Sequence, residues 1–339
     1  MSSSTHYDVT VFIGRFEPLH RAHLDTIRFA LGISKRLILV LGSHRAAPSF
    51  SCPWSAPERE EMIRLALTPQ ESARVTCIYV RDKLFDLERW QSNVYQEVYH
   101  HVSNPQASIA LVGHFKDASS SYLSLFKRWS FVSAPVVDGL NATDFRRWFF
   151  LNKGEFSPGD IPTPLFKWLE DYKKTTQYTN IVHEATHTPT KAHYHQFVYE
   201  YVLFRCHNYV LLERRWGRDL FALPGETTLE CPTSAGMPSD LSHLPEPLFH
   251  FEQEYIWQQK LGLNISTAEL AQCTTSTQIF YDAIAQKRSR VIQILANKLD
   301  ICPKINNVNN HIWLLKDDIP LMQEKIYGDH FHILCQIEL

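Results

Sequence analysis

Neither a long apolar run nor a surplus of charge of one sign is present in this chain of 339 residues. The formal net charge is -2 at pH 7, which excludes the broad cationic field that holds nucleic acid or an anionic membrane. No apolar stretch approaches the length that spans a bilayer. The opening residues, MSSSTHYD, lack the basic segment and apolar core of a secretory signal. No nucleic-acid partner and no membrane are therefore expected, and the chain is expected in the cytoplasm. Cysteine pairing signals are also missing. Cys52, Cys77, Cys206, Cys231, Cys273, Cys302 and Cys335 form no CxxC pair and no metal-type spacing, so they read as reduced, mostly buried thiols. There is no internal repeat.

Histidine, in contrast, is plentiful, with 17 residues. His183, His187, His193 and His195 fall close together, but Thr, Ala and Lys share that stretch. The carboxylates or thiolates of a closed metal site are missing there, so no protein metal ligand is read from it. With 44% hydrophobic and 21% charged residues the composition is that of a folded globular protein, and the length favours two domains.

From Tyr7 onward, β-rich apolar runs alternate with amphipathic stretches, the pattern of a parallel sheet with crossover helices. Strands are expected over 8–14, 36–42, 74–81, 108–113 and 130–135, and helices over 56–67 and 89–102. Beyond Leu151 the sequence becomes Pro-punctuated helix, and a polar, Thr-rich stretch over 175–192 reads as a connector. Domains are expected over 1–174 and 193–339, the second of α+β character, with strands over 197–205 and 209–214 and a helix over about 248–261.

The first expected strand runs into GRFEPLHRAH, which places Gly14, Arg15, Phe16, Pro18, His20 and His23 where strand turns to helix. Glycine lets backbone approach a polyphosphate, and a helix start offers free N–H groups and its positive dipole end to the anion. His20 and His23 are three apart, so on a helix entry they face the same way and can donate to one phosphate group.

These residues resemble the (H/T)xGH signature of the nucleotidylyltransferase superfamily and, in longer form, the G-R-F-x-P-x-H-x-x-H pattern of nicotinamide mononucleotide adenylyltransferases. Ala22 stands where that family usually has glycine, adding a methyl group without removing a donor. The run from Asn141 to Arg147 resembles the family's S-x-T-x-x-R element, with Asn141 in the serine position. The resemblance implies that Thr143 and Arg146 hold the departing phosphates. Gly42-Ser43-His44, Pro53-Trp54-Ser55 leading to Arg59, Trp90, and Gly113-His114 through Lys116 and Asp117 resemble elements of the archaeal-type branch. Backbone near Gly42 and Gly113 would then approach the nucleotides, Arg59 would hold phosphate or its loop, and Trp90 would stack on the nicotinamide ring. A core aromatic is the alternative for Trp90.

The resemblance thus implies a catalytic set of Arg15, His20, His23 and Arg146. The substrate-binding set is Gly14, Phe16, Gly42, Ser43, Arg59, Trp90, Gly113, His114, Lys116, Asn141 and Thr143. It implies a Rossmann-like domain that transfers AMP from ATP to nicotinamide mononucleotide (NMN), giving NAD and pyrophosphate, with Mg²⁺ held mainly by the ATP phosphates and water. The rivals are another adenylyltransferase of the same HxxH type, taking pantetheine phosphate or FMN, and a non-catalytic nucleotide sensor. No GxxxxGK[ST] loop is present, which argues against an added ribosylnicotinamide kinase. Oligomeric state is open, a homo-oligomer included, as is the preference between nicotinamide and nicotinate mononucleotide.

In the second half, the strands leading to Asp219-Leu220-Phe221-Ala222-Leu223-Pro224-Gly225 resemble the approach to the catalytic box of Nudix hydrolases. That box then needs a helix of carboxylates. Anchored on Gly262-Leu263, its positions carry Tyr255, Ile256, Gln259 and Lys260, and Glu226 replaces the second glycine of the turn. Glu252 and Glu254 are two apart and point to different helix faces. The resemblance implies a degenerate, hydrolytically silent Nudix-like domain.

Overall fold

The structure is a computed structural model that describes residues 6–114, 118–135, 141–154, 157–187, 197–215, 219–224, 227–230, 266–282, 287–295 and 311–337. The chain divides into two compact units, 1–189 and 190–339.

Unit one is built on five parallel strands: β1 (Tyr7–Gly14), β2 (Ser34–Leu41), β3 (Val75–Tyr79), β4 (Ile109–Gly113) and β5 (Ser130–Ser133). Their order is β3-β2-β1-β4-β5. The apolar runs of β1, β2 and β4 are buried because the sheet has a core on each face. Chain direction across the sheet reverses between β1 and β4, and ligands of such sheets gather outside the strand carboxyl ends at that point.

The crossovers follow from amphipathic sequence and explicit caps. Helix α1 (Arg21–Ile33) buries Leu24, Ile27, Ala30 and Leu31. Helix α2 (Ala56–Ala66) starts at a capping box in which Ser55 and Glu58 satisfy each other's backbone N–H, and a short helix α3 (Pro69–Ser72) repeats the device with Thr68 and Glu71. Helix α4 (Leu87–His100) turns Trp90, Val94, Tyr95 and Val98 inward. Helix α5 (Ala142–Leu151) is capped by Asn141, whose side chain accepts from Asp144 N–H at 2.8 Å.

Helix α6 (Pro164–Tyr172) and helix α7 (Thr176–His187) close the unit. The polar stretch expected as a connector thus carries a helix. Its polar composition hides three anchors. Ile181 is fully buried, the Tyr178 hydroxyl donates to Phe149 carbonyl at 3.0 Å, and Glu184 accepts from Phe50 N–H at 3.0 Å. The Tyr172 hydroxyl adds a bond to Pro53 carbonyl at 3.0 Å.

Unit two is a mixed sheet of β6 (Phe197–Cys206), β7 (Tyr209–Arg214), β8 (Phe221–Ala222), β9 (Thr227–Glu230), β10 (Thr274–Asp282), β11 (Lys287–Leu295) and β12 (His311–Leu315). The main order is β10-β11-β6-β7-β12, with β8 on β7 and β9 on β6. Only β6 and β11 run parallel among these pairs. Helices Thr267–Cys273 and His330–Gln336 and a 3-10 helix over Lys316–Lys325 complete the described part. His330 seats the β8 end: its Nδ1 accepts from Leu223 N–H at 2.8 Å. The helix expected over 248–261, with Glu252, Glu254, Tyr255, Ile256, Gln259 and Lys260, lies outside the described residues, as do Gly225 and Glu226.

One cysteine departs from expectation. Cys52, Cys77, Cys273 and Cys335 are free thiols, but Cys206 is disulfide-bonded. Residue spacing carries no signal for it, since the cysteines show no pairing motif. Among the described residues no helix is long and apolar enough to cross a membrane.

Candidate functional site

β1 ends at Gly14, and the chain turns through Arg15-Phe16-Glu17-Pro18-Leu19 into α1. A methyl group on Gly14 would stand 3.0 Å from the Phe16 ring, so glycine here makes room for that ring rather than for a ligand. Phe16 is 1% exposed with φ of 55°, an uncommon conformation for a bulky residue. Its ring lies edge-on to Phe12 and, at 5.0 Å, to His23. Phe16 therefore acts by seating His23.

His20 is the N-cap residue of α1, and no side-chain cap occupies that helix start. The first turn holds no acidic residue, leaving its N–H groups and dipole end suited to an anion. The rings of His20 and His23 stack with centroids 3.7 Å apart. His20 is 6% exposed, with the His23 ring stacked on it. Arg15, in contrast, is exposed.

Behind the turn lies a buried charged cluster. Glu17 is 2% exposed and its Oε1 is 3.2 Å from Nε of the fully buried Arg59. Cys52 donates its thiol hydrogen to the same oxygen at 3.0 Å. Arg59 Nη1 donates to the carbonyls of Arg15 at 2.6 Å and Gly42 at 2.9 Å. From α5, Arg146 Nη1 donates to Glu17 carbonyl at 2.7 Å, and its Nη2 reaches Thr143 Oγ1 at 3.2 Å. Arg146 is 5% exposed, and burial lowers its pKa to about 10, which leaves it charged at neutral pH. Its Nε is buried without a protein partner. Burial pushes the Glu17 carboxyl above its ordinary value, opposed first by Arg59 and then by the Cys52 hydrogen bond, Arg146 and Arg15.

The turn after β2 sits alongside. Gly42 N–H donates to Gly14 carbonyl at 3.1 Å, tying the two strand ends. Ser43, at φ of 54°, donates through N–H at 3.0 Å and Oγ at 2.6 Å to the two Asp82 carboxylate oxygens. After β4, a methyl group on Gly113 would come 3.2 Å from Leu123, and His114 Nδ1 is buried without a partner. Lys116 and Asp117 lie outside the described residues.

Trp90 takes the core place that was its alternative. It is 7% exposed, with its ring edge-to-face with Tyr122 and Phe126. Asn141 caps α5, and Thr143 is exposed in its first turn. The described structure thus brings together Arg15, His20, His23, Arg59 and Arg146 through the ends of β1, β2 and α5. Sequence reasoning passed over Glu17, Cys52 and Asp82. For Glu17 a signal existed: an acid at the variable position of an otherwise phosphate-directed motif.

Residues 11–114 match the Cytidylyltransferase-like family model. The chain is 31% identical over 176 residues to the nicotinamide/nicotinic acid mononucleotide adenylyltransferase of Acinetobacter baylyi, covering 52% of this chain and 92% of that protein. It is 26% identical over 178 residues to the nicotinamide-nucleotide adenylyltransferase of Saccharolobus solfataricus, 51% of this chain and 95% of that one. Among solved structures, a bifunctional NMN adenylyltransferase/ADP ribose pyrophosphatase from Francisella tularensis, complexed with AMP and manganese, aligns with a TM-score of 0.72. That alignment is 24% identical and covers 97% of this chain and 98% of that one. The likeness gives the fold: a Rossmann-like parallel-sheet domain followed by an α+β Nudix-like domain, as the sequence led one to expect.

Proposed function

The chain belongs to the nicotinamide mononucleotide adenylyltransferase family, and from that premise we propose that it transfers AMP from ATP to NMN, forming NAD and pyrophosphate. The observation that carries this reading is the stacked pair His20 and His23 at an acid-free helix start, in a turn joined through Glu17 to the buried guanidinium of Arg146. An oxygen of the NMN phosphate attacks the α-phosphorus of ATP in line. The bond from that phosphorus to the β-phosphate bridging oxygen breaks, and pyrophosphate leaves with the electron pair. Arg15, His20, His23 and Arg146 supply donors and charge where negative charge collects on the triphosphate, and the protein provides no nucleophile.

The donor set also bears on Mg²⁺. Its side chains are cationic or imidazole, and among the described residues the nearby acids Glu17 and Asp82 are engaged by protein groups, Glu17 by Arg59 and Cys52 and Asp82 by Ser43. Such a set fits an ion that enters on the ATP phosphates and keeps water ligands, not one caged by carboxylates. When bound, the ion neutralises phosphate oxygens.

Roles for the remaining residues follow from the contacts. Gly14 and Phe16 shape the turn, Gly42 and Ser43 hold the β2 end near it, and Thr143 orients Arg146. Gly113, His114 and Lys116 are assigned to the nucleotide side by the family pattern. We assign the chain to the archaeal-type branch on the elements from Gly42 to Asp117, and we read the Nudix-like domain as hydrolytically inactive on Ile256, Gln259 and Lys260.

The test offers ATP and Mg²⁺ with NMN, phosphopantetheine or FMN and follows pyrophosphate release. NMN is expected to be used better by orders of magnitude. Comparable rates with another acceptor would move the protein to a different branch of the superfamily, and nucleotide binding without turnover would make it a sensor.

A further inference from the structure

Glu17 reaches three separate elements of the site described above. Its carboxylate meets Arg59 at the start of α2, at 3.2 Å. The same oxygen accepts the thiol hydrogen of Cys52 at 3.0 Å, and its carbonyl seats Arg146 of α5 at 2.7 Å. Arg59 passes the constraint on. Its Nε also faces the Trp54 carbonyl at 3.1 Å, and its Nη1 bridges the carbonyls of Arg15 and Gly42. The guanidinium is a planar fork, so fixing Nε fixes the direction in which Nη1 points. A buried guanidinium facing only carbonyls and no anion would be an uncompensated charge, which proteins tolerate poorly. With Nε and Nη1 committed to protein oxygens, Arg59 is arranged to hold the loop that bears Arg15 and His20.

We propose that Glu17 is a positioning residue that forms the triphosphate cleft in advance. Through Arg59 it sets the spacing of the β1 and β2 turns, and through its own carbonyl it sets Arg146. ATP then meets donors already in place, and little reorganisation is left for the reaction itself. This inference rests on the adenylyltransferase reading for its substrate.

The experiment uses the full-length protein and compares wild type with Glu17→Gln, Glu17→Asp and Arg59→Lys. Direct ATP binding is measured by calorimetry, and kcat and KM are measured separately for ATP and NMN below the melting temperature of each variant. Glu17→Gln is expected to lower kcat/KM for ATP on the order of 100-fold, the scale of a misplaced site, with weaker ATP binding and a much smaller change in KM for NMN. Glu17→Asp keeps the charge and is expected to recover part of the loss. Arg59→Lys preserves the buried charge balance, so it keeps the test alive if Glu17→Gln does not fold. A single ammonium nitrogen cannot take both the Nε place against Glu17 and the Nη1 place against Arg15 and Gly42, and the same loss is expected.

A folded Glu17→Gln or Arg59→Lys protein with wild-type ATP affinity and kcat/KM overturns the proposal, leaving the pair a stability element alone. If wild type binds ATP but makes no NAD, the adenylyltransferase reading fails while the affinity comparison still decides the role of Glu17. A wild type that binds no ATP overturns both.

Discussion

The imidazoles of His20 and His23 stack with centroids 3.7 Å apart and planes inclined by 21°. Two full positive charges at that separation would repel by roughly 4 to 5 kcal/mol at an effective dielectric of about 20. On the proposed reading, a polyanion lying against both rings would offset that repulsion. The helix dipole at the same point adds attraction for the anion.

His20→Ala and His23→Ala are each expected to lower kcat by about 100-fold to 1000-fold, the usual cost of one preorganised donor. Thermal melts are expected to show His20→Ala less stable than His23→Ala, since His20 is the more buried of the two. Pyrophosphate release by the purified variants checks the first statement. Near-wild-type turnover in both would remove the histidines from the mechanism.

Arg146→Lys is expected to raise KM for ATP and lower kcat, because a single ammonium nitrogen cannot stand in for the separate Nη1 and Nη2 that meet Glu17 carbonyl and Thr143. A loss on the order of 100-fold in kcat/KM is the scale for one such donor. Initial rates against ATP concentration test this, and unchanged kinetics would detach the second signature from the reaction.

Acidity bears on Glu17 with a definite sign. Its carboxyl titrates above the ordinary value of 4.5 in the folded protein because burial penalises the charged form more than Arg59, Cys52, Arg146 and Arg15 favour it. Between that ordinary value and the folded one, the folded chain holds a proton that the unfolded chain has released. The contribution of Glu17 to stability is therefore fully present below 4.5 and declines as pH rises through the folded pKa. Denaturant melts of wild type and Glu17→Gln should show their stability difference shifting against wild type across that window and levelling above it. A difference that moved the other way would mean that the ion pair outweighs desolvation.

The Nudix-like domain is expected to leave ADP-ribose intact in the full-length protein, even with excess Mg²⁺ or Mn²⁺. Ile256, Gln259 and Lys260 fall at i, i+3 and i+4, where the helix of an active relative carries carboxylates. An ammonium about 4 Å from a divalent ion, at an effective dielectric of about 20, opposes metal binding by roughly 8 kcal/mol before relaxation. Assays for AMP decide it: steady, metal-dependent AMP that survives Glu252→Gln and Glu254→Gln would show the helix alignment to be wrong.

The parallel sheet was legible because its strands are apolar runs bounded by turns, and β1 to β5 fall within a residue or two of the expected spans. The expected helices over 56–67 and 89–102 likewise became α2 and α4. Helix α7 was not legible. A helix held by one buried Ile181 and two polar bonds, from Tyr178 and to Glu184, carries little apolar periodicity. Histidine spacing told which two rings share a face, but not that His20 would be buried or that the Phe16 ring would meet His23 edge-on. The placement of Trp90 depended on Tyr122 and Phe126, more than thirty positions downstream. Glu17 is the sharpest case. A carboxylate in a phosphate-binding motif looks misplaced until Arg59, from another helix, is brought against it by the fold.

Helix α7 also bears on how the two halves of the gene can be separated. A polypeptide ending near residue 175 retains all five parallel strands and both phosphate signatures. It loses the acceptor for Phe50 N–H and the hydroxyl that holds Phe149. Phe50 lies two positions before Cys52, and the Arg146 guanidinium sits 5.9 Å over its ring. Trimming to the shortest recognisable catalytic segment would therefore cut the latch that keeps this loop against the site. Cloning boundaries, domain exchanges and natural fusions that respect the enzyme should fall beyond His187.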